Sequence, residues 1–414
     1  MAESALNRSF ILLRGFNMVY LGKQMKFNPR QMKCNPWTKI LLILSLLLFS
    51  SAAISEVHIQ ATPDRGLQPR LISDDSGNIH LLYFKKRLRA PAAREGNLYY
   101  RQYLPEQNRF GNPVKVSSGA FNLQTFSIAR AAIAIDGEGR IHAVWYRAND
   151  GEYFYARSNP ERTQFEAQQS MVSEFAEGID ATADVAASGN DVAIVWAAGD
   201  LSREYERTVY ARLSQDNGEN FGEEFGLSNP DLGACAWCSL ASDFIDDDLF
   251  VAYRSAIDGV GRHMQLLTLE RAEGESIGSS YGPVGALQEW ELSSCPLSTN
   301  DIVLDEDSGN WLVFETEYRI IQMELESEAG AMAVADPFVK TRQKNPALAF
   351  NGKDQRLIAW GEAISHARGG RLNMRLLDFD GEVEGFSFEE EITIPNYSFP
   401  AAASLPNGDF LVLY

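Results

Sequence analysis

Three aspartates, Asp184, Asp243 and Asp301, recur at matching places along this 414-residue chain. Carboxylates brought to one point can hold a cation, move protons as general acid and base, or hydrogen-bond sugar hydroxyls. The plainer expectation is that they bind backbone amides where strands begin. Arg70 and Arg130 stand at comparable places in the first two repeats, and Arg254 and Arg262 flank the hairpin of the fourth. Such guanidinium groups bind an anionic ligand or pair with neighbouring carboxylates. Three cysteines lie nearby in sequence, in Cys235-Ala236-Trp237-Cys238 and Cys295-Pro296. Cys238 is five residues before Asp243 and Cys295 six before Asp301, which are corresponding positions on adjacent repeats. A disulfide between the two loops is therefore expected, Cys238–Cys295 first and Cys235–Cys295 second, with one thiol left over. A metal site built on the Cys-x-x-Cys pair and His263 lacks a fourth ligand, so no metal and no cofactor is expected.

The elements that must position these groups come from a recurring cassette. It reads as an apolar strand, a turn rich in Gly, Asp or Asn, and a β-rich run ending in an aromatic. One copy runs from Ala132 through Gly137 to Trp145, and the others centre on Gly77, Asn190, Asp247, Gly309, Gly352 and Gly408. Intervals of roughly 43 to 62 residues mark propeller blades rather than a solenoid of short units. Further strands follow most hairpins, alternating apolar and polar residues as half-buried antiparallel strands do. Fourth strands are expected at Gln288–Ser294 in blade 4 and Glu389–Pro395 in blade 6. The expected fold is all-β, a propeller of four-stranded antiparallel blades. Seven blades are favoured, the last completed by Val57-His58-Ile59-Gln60, with six the alternative.

Residues 40–50 form one apolar run, short for a bilayer span, with Lys33 and Lys39 ahead and small residues behind. This order is that of a secretory signal peptide cut near Ser55–Glu56, with a retained anchor as the alternative. The stretch ahead is long for a leader, so Met25 or Met32 is an alternative start. Residues 1–55 are thus read as leader and over-extended start, and 56–414 as one exported domain, periplasmic, cell-surface or extracellular. Cys34 would leave with the leader. Beyond residue 55 the chain carries 30 Lys and Arg against 55 Asp and Glu. So acidic a surface repels phosphate backbones and anionic lipid heads, which argues against nucleic-acid and membrane-surface roles.

Blade 3 carries Ser214-Gln215-Asp216-Asn217-Gly218-Glu219-Asn220-Phe221. This resembles the Asp-box, Ser-x-Asp-x-Gly-x-x-aromatic, of sialidase-like propellers. In that pattern Asp216 accepts turn amides, Gly218 supplies a positive φ and Phe221 packs back between sheets. Degenerate copies run from Arg101 to Phe110 and from Arg157 to Phe165, each arginine preceded two positions earlier by a tyrosine. The mature chain resembles the sialidase, or BNR-repeat, superfamily along nearly its whole length. The Cys-x-x-Cys, Tyr253-Arg254-Ser255, Arg262, Trp290 and Cys295-Pro296 together look like an uncharacterised exported subgroup.

The resemblance implies three arginines on an acidic sugar, one in an Arg-Ile-Pro motif, a tyrosine nucleophile activated by a glutamate, and an aspartate as acid/base. Here the nearest first-blade match is Pro69-Arg70-Leu71, without Ile-Pro, and Glu317-Tyr318 is a poor nucleophile pair because neighbours on a strand face opposite ways. Tyr253 is the better candidate nucleophile, with Asp243 and Asp301 for proton transfer and Arg70, Arg130, Arg254, Arg262 and Asp184 for ligand binding. The balance favours a propeller that binds a glycan or protein ligand at its central mouth without a full sialidase set. A glycoside hydrolase of exo-sialidase type acting on an acidic glycan is the alternative. Nothing in the sequence fixes the oligomeric state.

Overall fold

The second strands of most blades are covered on both faces, and the pattern of covering defines the architecture. The second strand of blade 3, Asp191–Ala198, is buried at every position because a neighbouring sheet lies against each side. The buried side chains fall into seven separate clusters, each drawn from two consecutive blades. One of them joins Leu71, Leu81 and Tyr83 of blade 1 to Ala403, Leu411 and Leu413 of blade 7. Seven interfaces for seven sheets is a closed ring. Each interface is a small sandwich, which lets a chain of this length stay within the size of one core.

The structure, a computed structural model, describes residues 55–414 except 75, 88–93, 124–129, 149, 181–182, 271–279, 305–308, 326, 328, 336–340, 363–368, 379–380, 382, 384–385 and 389. The leader and Cys34 fall outside the described residues. Residues Ile54–Tyr414 form one compact unit. The inner strands, in order, are Leu67–Ser73, Ala132–Ile135, Asp184–Ser188, Ala241–Ile245, Asp301–Val303, Gln343–Phe350 and Ala401–Ser404. Each contacts the next, and the seventh contacts the first. No helix among the described residues is long and apolar enough to cross a membrane.

Blade 7 is completed as expected. Val57–Gln60 pairs with Phe410–Leu413, but in parallel, so this blade is not wholly antiparallel. Blades 6 and 7 have three strands each among the described residues, and the others four or more. Two expected fourth strands are corrected. In blade 4 the outer strand is Ser280–Gln288, bulged twice against Met264–Glu270, and it ends where Gln288–Ser294 was placed. In blade 6 the described part of the Glu389–Pro395 segment contributes an isolated bridge between Thr393 and Arg371 rather than a strand.

The cassette turns hold by one repeated device. Asp74 Oδ1 accepts the amides of Ser76 and Asn78, and Asp136 Oδ1 those of Glu138 and Arg140. Asn351 does the same for Lys353 and Gln355 in blade 6. A side-chain oxygen two and four residues upstream thus replaces backbone partners in the tight turn. In blades 1 and 2 the second carboxylate oxygen also meets a buried histidine, which in turn meets a tyrosine of the third strand. His142 lies 3.1 Å from Asp136 and 2.7 Å from Tyr155 Oη, and His80 lies 3.2 Å from Asp74 and 2.7 Å from Tyr100 Oη.

The Asp-box of blade 3 has the expected geometry. Asp216 Oδ1 accepts the Asn220 amide at 2.8 Å and the Ser214 hydroxyl at 2.7 Å. Gly218 has φ +71°, and a Cβ there would lie 1.9 Å from Tyr155 Oη of blade 2. Phe221 packs edge-on against Tyr155 at 5.1 Å, so the box also fastens two blades together.

Candidate functional site

Every blade begins at its inner strand, so the starts of these strands share one end of the central channel. Arg70 is directed there by a bulge. Gln68 has φ +54°, the register slips between Leu67 and Arg70, and Pro69 has no amide to lose from the ladder. Gln68 N donates instead to Ser398 Oγ of the preceding blade at 2.9 Å. Arg70 then crosses the channel and pairs with Asp301 of blade 5, Nη1 to Oδ1 2.5 Å.

The three aspartates follow a single rule. Asp184 of blade 3 accepts the Ser242 amide of blade 4 at 2.6 Å and the Ser242 hydroxyl at 3.0 Å. Asp243 of blade 4 accepts the Leu304 amide of blade 5 at 3.3 Å and its neighbour Phe244 N at 2.9 Å. Asp301 of blade 5 accepts the Leu348 amide of blade 6 at 3.0 Å. Each carboxylate therefore latches the inner strand of the next blade, where no sheet hydrogen bond can run. This is the amide-binding role that the plainer expectation named.

Their charges nevertheless meet. Burial, with help from the Asp184 charge, pushes the Asp243 carboxyl up to about 7, against the pull of the Phe244 and Leu304 amides and of Arg70. Burial also raises Asp184, opposed chiefly by Arg70. Burial works to lower Arg70, but Asp301, Asp184 and Asp243 outweigh it and the guanidinium rises. Arg130, entering from blade 2, is held down to about 10 by burial and by repulsion from Arg70. It donates to the Asn300 carbonyl at 2.9 Å and lies 5.4 Å from the Phe399 ring centroid. Among the described residues it forms no ion pair.

Arg254, Arg262 and Tyr253 go elsewhere. Tyr253 sits on the middle strand of blade 4, inside the apolar cluster shared with blade 3, and burial raises its phenol. Arg254 donates to the Arg262 carbonyl at 2.8 Å and to the Glu315 carbonyl, and it covers Trp290 at 5.2 Å. Arg262 pairs with Glu204 and donates to the Gly259 carbonyl at 3.2 Å. The four arginines thus divide into an axial pair and a pair in blade 4, Arg254 at the end of its second strand and Arg262 in the loop that follows. Among the described residues no tyrosine is hydrogen-bonded to the axial carboxylates.

The cysteines do converge, as their spacing implied. Sγ separations are 2.9 Å for Cys235–Cys238, 3.1 Å for Cys235–Cys295 and 3.6 Å for Cys238–Cys295. None is near the ~2.05 Å of a disulfide. The expected bridge is corrected on this point: all three are free, and the favoured pair is the widest. His263 turns away, its Nδ1 accepting the Trp290 amide at 3.0 Å.

The sequence assigned no role to two charged groups. Glu315 is fully buried, accepts from Arg342 at 3.1 Å and is raised by burial against the pull of Lys344 and Arg342. Lys344 reaches across to the Pro296 carbonyl and, at 2.7 Å, the Leu297 carbonyl. A signal for Lys344 existed: Asn345-Pro346 repeats Gln68-Pro69, and Asn345 takes the same positive φ of 54° at an equivalent bulge.

No family model matches the chain, and no curated protein matches it. Among solved structures, a protein of unknown function from Dyadobacter fermentans aligns with a TM-score of 0.49 and 12% identity, over 78% of this chain and 96% of its own. The Penicillium chrysogenum alpha-L-arabinanase complexed with arabinobiose gives 0.47 and 11%, over 80% and 99%. The Trypanosoma rangeli sialidase in complex with the inhibitor DANA gives 0.46 and 8%, over 73% and 53%. These likenesses carry no argument about chemistry.

Proposed function

We propose that the protein is a binding propeller that takes an acid-bearing glycan at the central mouth, in an exported compartment reached through the leader at residues 40–50. One observation carries this reading: Arg130 stands at the channel with a single carbonyl contact and no ion pair among the described residues. A half-buried guanidinium with donors to spare is a receptor for a carboxylate, and its stacking on Phe399 keeps the fork oriented. Arg70 is different, because Asp301 already occupies it.

A second reading, a glycoside hydrolase, is favoured by Asp243. A carboxyl raised to about 7 beside another carboxylate holds a proton near neutral pH, as a general acid must. Against it stand the amide contacts of all three aspartates and the placement of Tyr253 in the core.

The test is glycan-array binding of the full chain and of Arg130→Gln, run beside fluorogenic sialosides and other glycosides. The binding reading expects retention of uronate- or sialate-bearing glycans, weakened at least about tenfold in Arg130→Gln, with no turnover. Turnover that is lost in Asp243→Asn establishes the hydrolase instead. Binding indifferent to Arg130 and to ligand charge, with no turnover of any glycoside, refutes both.

A further inference from the structure

Away from the axial channel three cysteines converge, and neither reading of the channel uses them. Cys235 and Cys238 lie on the loop that leads into the inner strand of blade 4, and Cys295 on the loop that leads into that of blade 5. We propose that these three cysteines form a three-thiolate centre for a thiophilic divalent cation of the zinc type, which staples the two loops together.

The geometry is close to what such an ion requires. Sulfurs at about 2.3 Å from a tetrahedral ion are about 3.8 Å apart. The three separations, 2.9, 3.1 and 3.6 Å, fall short of that edge by a few tenths of an ångström to just under one. The sulfurs have therefore only to move outward slightly from a common centre. Cys235 and Cys238 are buried, and Cys295 is half-buried, so the centre is shielded from bulk water. A single disulfide would satisfy two of these groups and strand the third.

Three cations stand around the sulfurs. Arg254, Arg262 and Lys344 all stand near enough to act electrostatically on the sulfurs. Three thiolates and a divalent cation leave one negative charge, which these cations can offset in a buried setting. Arg262 supplies a second, independent sign of a missing occupant. It is 3% exposed, yet its Nε and Nη1 have no hydrogen-bond partner among the described residues. Donors left bare at that depth are costly unless something anionic faces them. The protein gives three of the four positions that zinc takes, and the fourth is open to a water or a ligand atom.

The experiment uses the full chain, purified without chelator or reductant. Elemental analysis should find about one zinc per chain, and peptide mapping should find Cys235, Cys238 and Cys295 alkylated only after a strong chelator is added. Cobalt(II) added to the chelated protein should give the thiolate-to-cobalt charge-transfer absorption. Cys295→Ser and, separately, Cys238→Ser should each lose the metal, and Cys295→Ser is the milder change because that side chain is half-buried. A pair of these cysteines alkylated only after reduction, with no metal, overturns the proposal in favour of a disulfide. Three freely alkylated thiols that take up neither zinc nor cobalt overturn it as well.

Discussion

Replacing Asp243 by asparagine should make the protein more stable at alkaline pH. The carboxyl ordinarily titrates at 3.8 and does so here at about 7, mainly because it is buried in the channel wall. A folded-state value raised above the unfolded one contributes stability that is full below about pH 4 and is lost as pH rises through 7. Each pH unit between the two values is worth about 1.4 kcal/mol, giving up to about 4 kcal/mol at pH 8. That figure is an upper one, since the side chain retains part of its contact with solvent. Asparagine stays neutral and can still accept one amide, so it escapes the loss at the cost of about 1 kcal/mol for the other. With an unfolding entropy of about 2 cal/mol/K per residue over about 360 residues, 4 kcal/mol moves the midpoint by roughly 5 °C. Scanning calorimetry of both proteins at pH 4, 6 and 8 measures it. The variant should melt slightly below the parent at pH 4 and above it at pH 8. A difference that does not grow with pH refutes the account of Asp243 as a carboxyl kept protonated by burial.

Two further outcomes follow from the blade contacts. Burial holds His80 and His142 below the usual 6.5, against the pull of Asp74 and Asp136. A base with a depressed folded value loses stability as pH falls below the unfolded one, so acid unfolding monitored by fluorescence should steepen below about pH 6.5. The His80→Gln, His142→Gln double variant should flatten that limb, and an unchanged slope would show that other groups govern it. Gly218→Ala should cost about 1 kcal/mol for the left-handed backbone, and more for pushing Tyr155 off His142, for a total of about 2–4 kcal/mol. Gly151→Ala provides the control, because it shares a positive φ of 65° but has nothing within 4 Å of the new Cβ. Equal urea midpoints for the two variants would remove the inter-blade role assigned to the Asp-box.

The repeat was legible because a blade needs the same things each time: an apolar inner pair of strands, a side-chain oxygen at the turn and an aromatic at the close. Gly77, Gly137 and Gly352 mark such turns directly. The outer strands were less legible because their partners are set by one neighbour only, which is how Ser280–Gln288 came to be placed after Gln288. Position on an inner strand, or just ahead of one for Arg130, is what Asp184, Asp243, Asp301, Arg70 and Arg130 share. It could not show that Arg254 and Arg262 turn away, because that depends on Trp290, Glu204 and the Glu315 carbonyl, which belong to other segments. Spacing also brought the cysteines together, but whether two sulfurs bond or three surround an ion depends on differences of an ångström.

The seam between Val57–Gln60 and Phe410–Leu413 has a consequence for the order of assembly. Glu56 and Asp409, which hydrogen-bond across it, are 353 residues apart in the chain. Every other sheet forms from strands that are neighbours or near-neighbours in sequence and can begin as it is synthesised. The first strand made must wait, unpaired, for the last. Ring closure is thus the longest-range contact in the molecule and the one that topology makes slowest. Until then the Phe410–Leu413 edge of blade 7 stands open, and the Val57–Gln60 strand of a second chain would fit there as well as the chain's own.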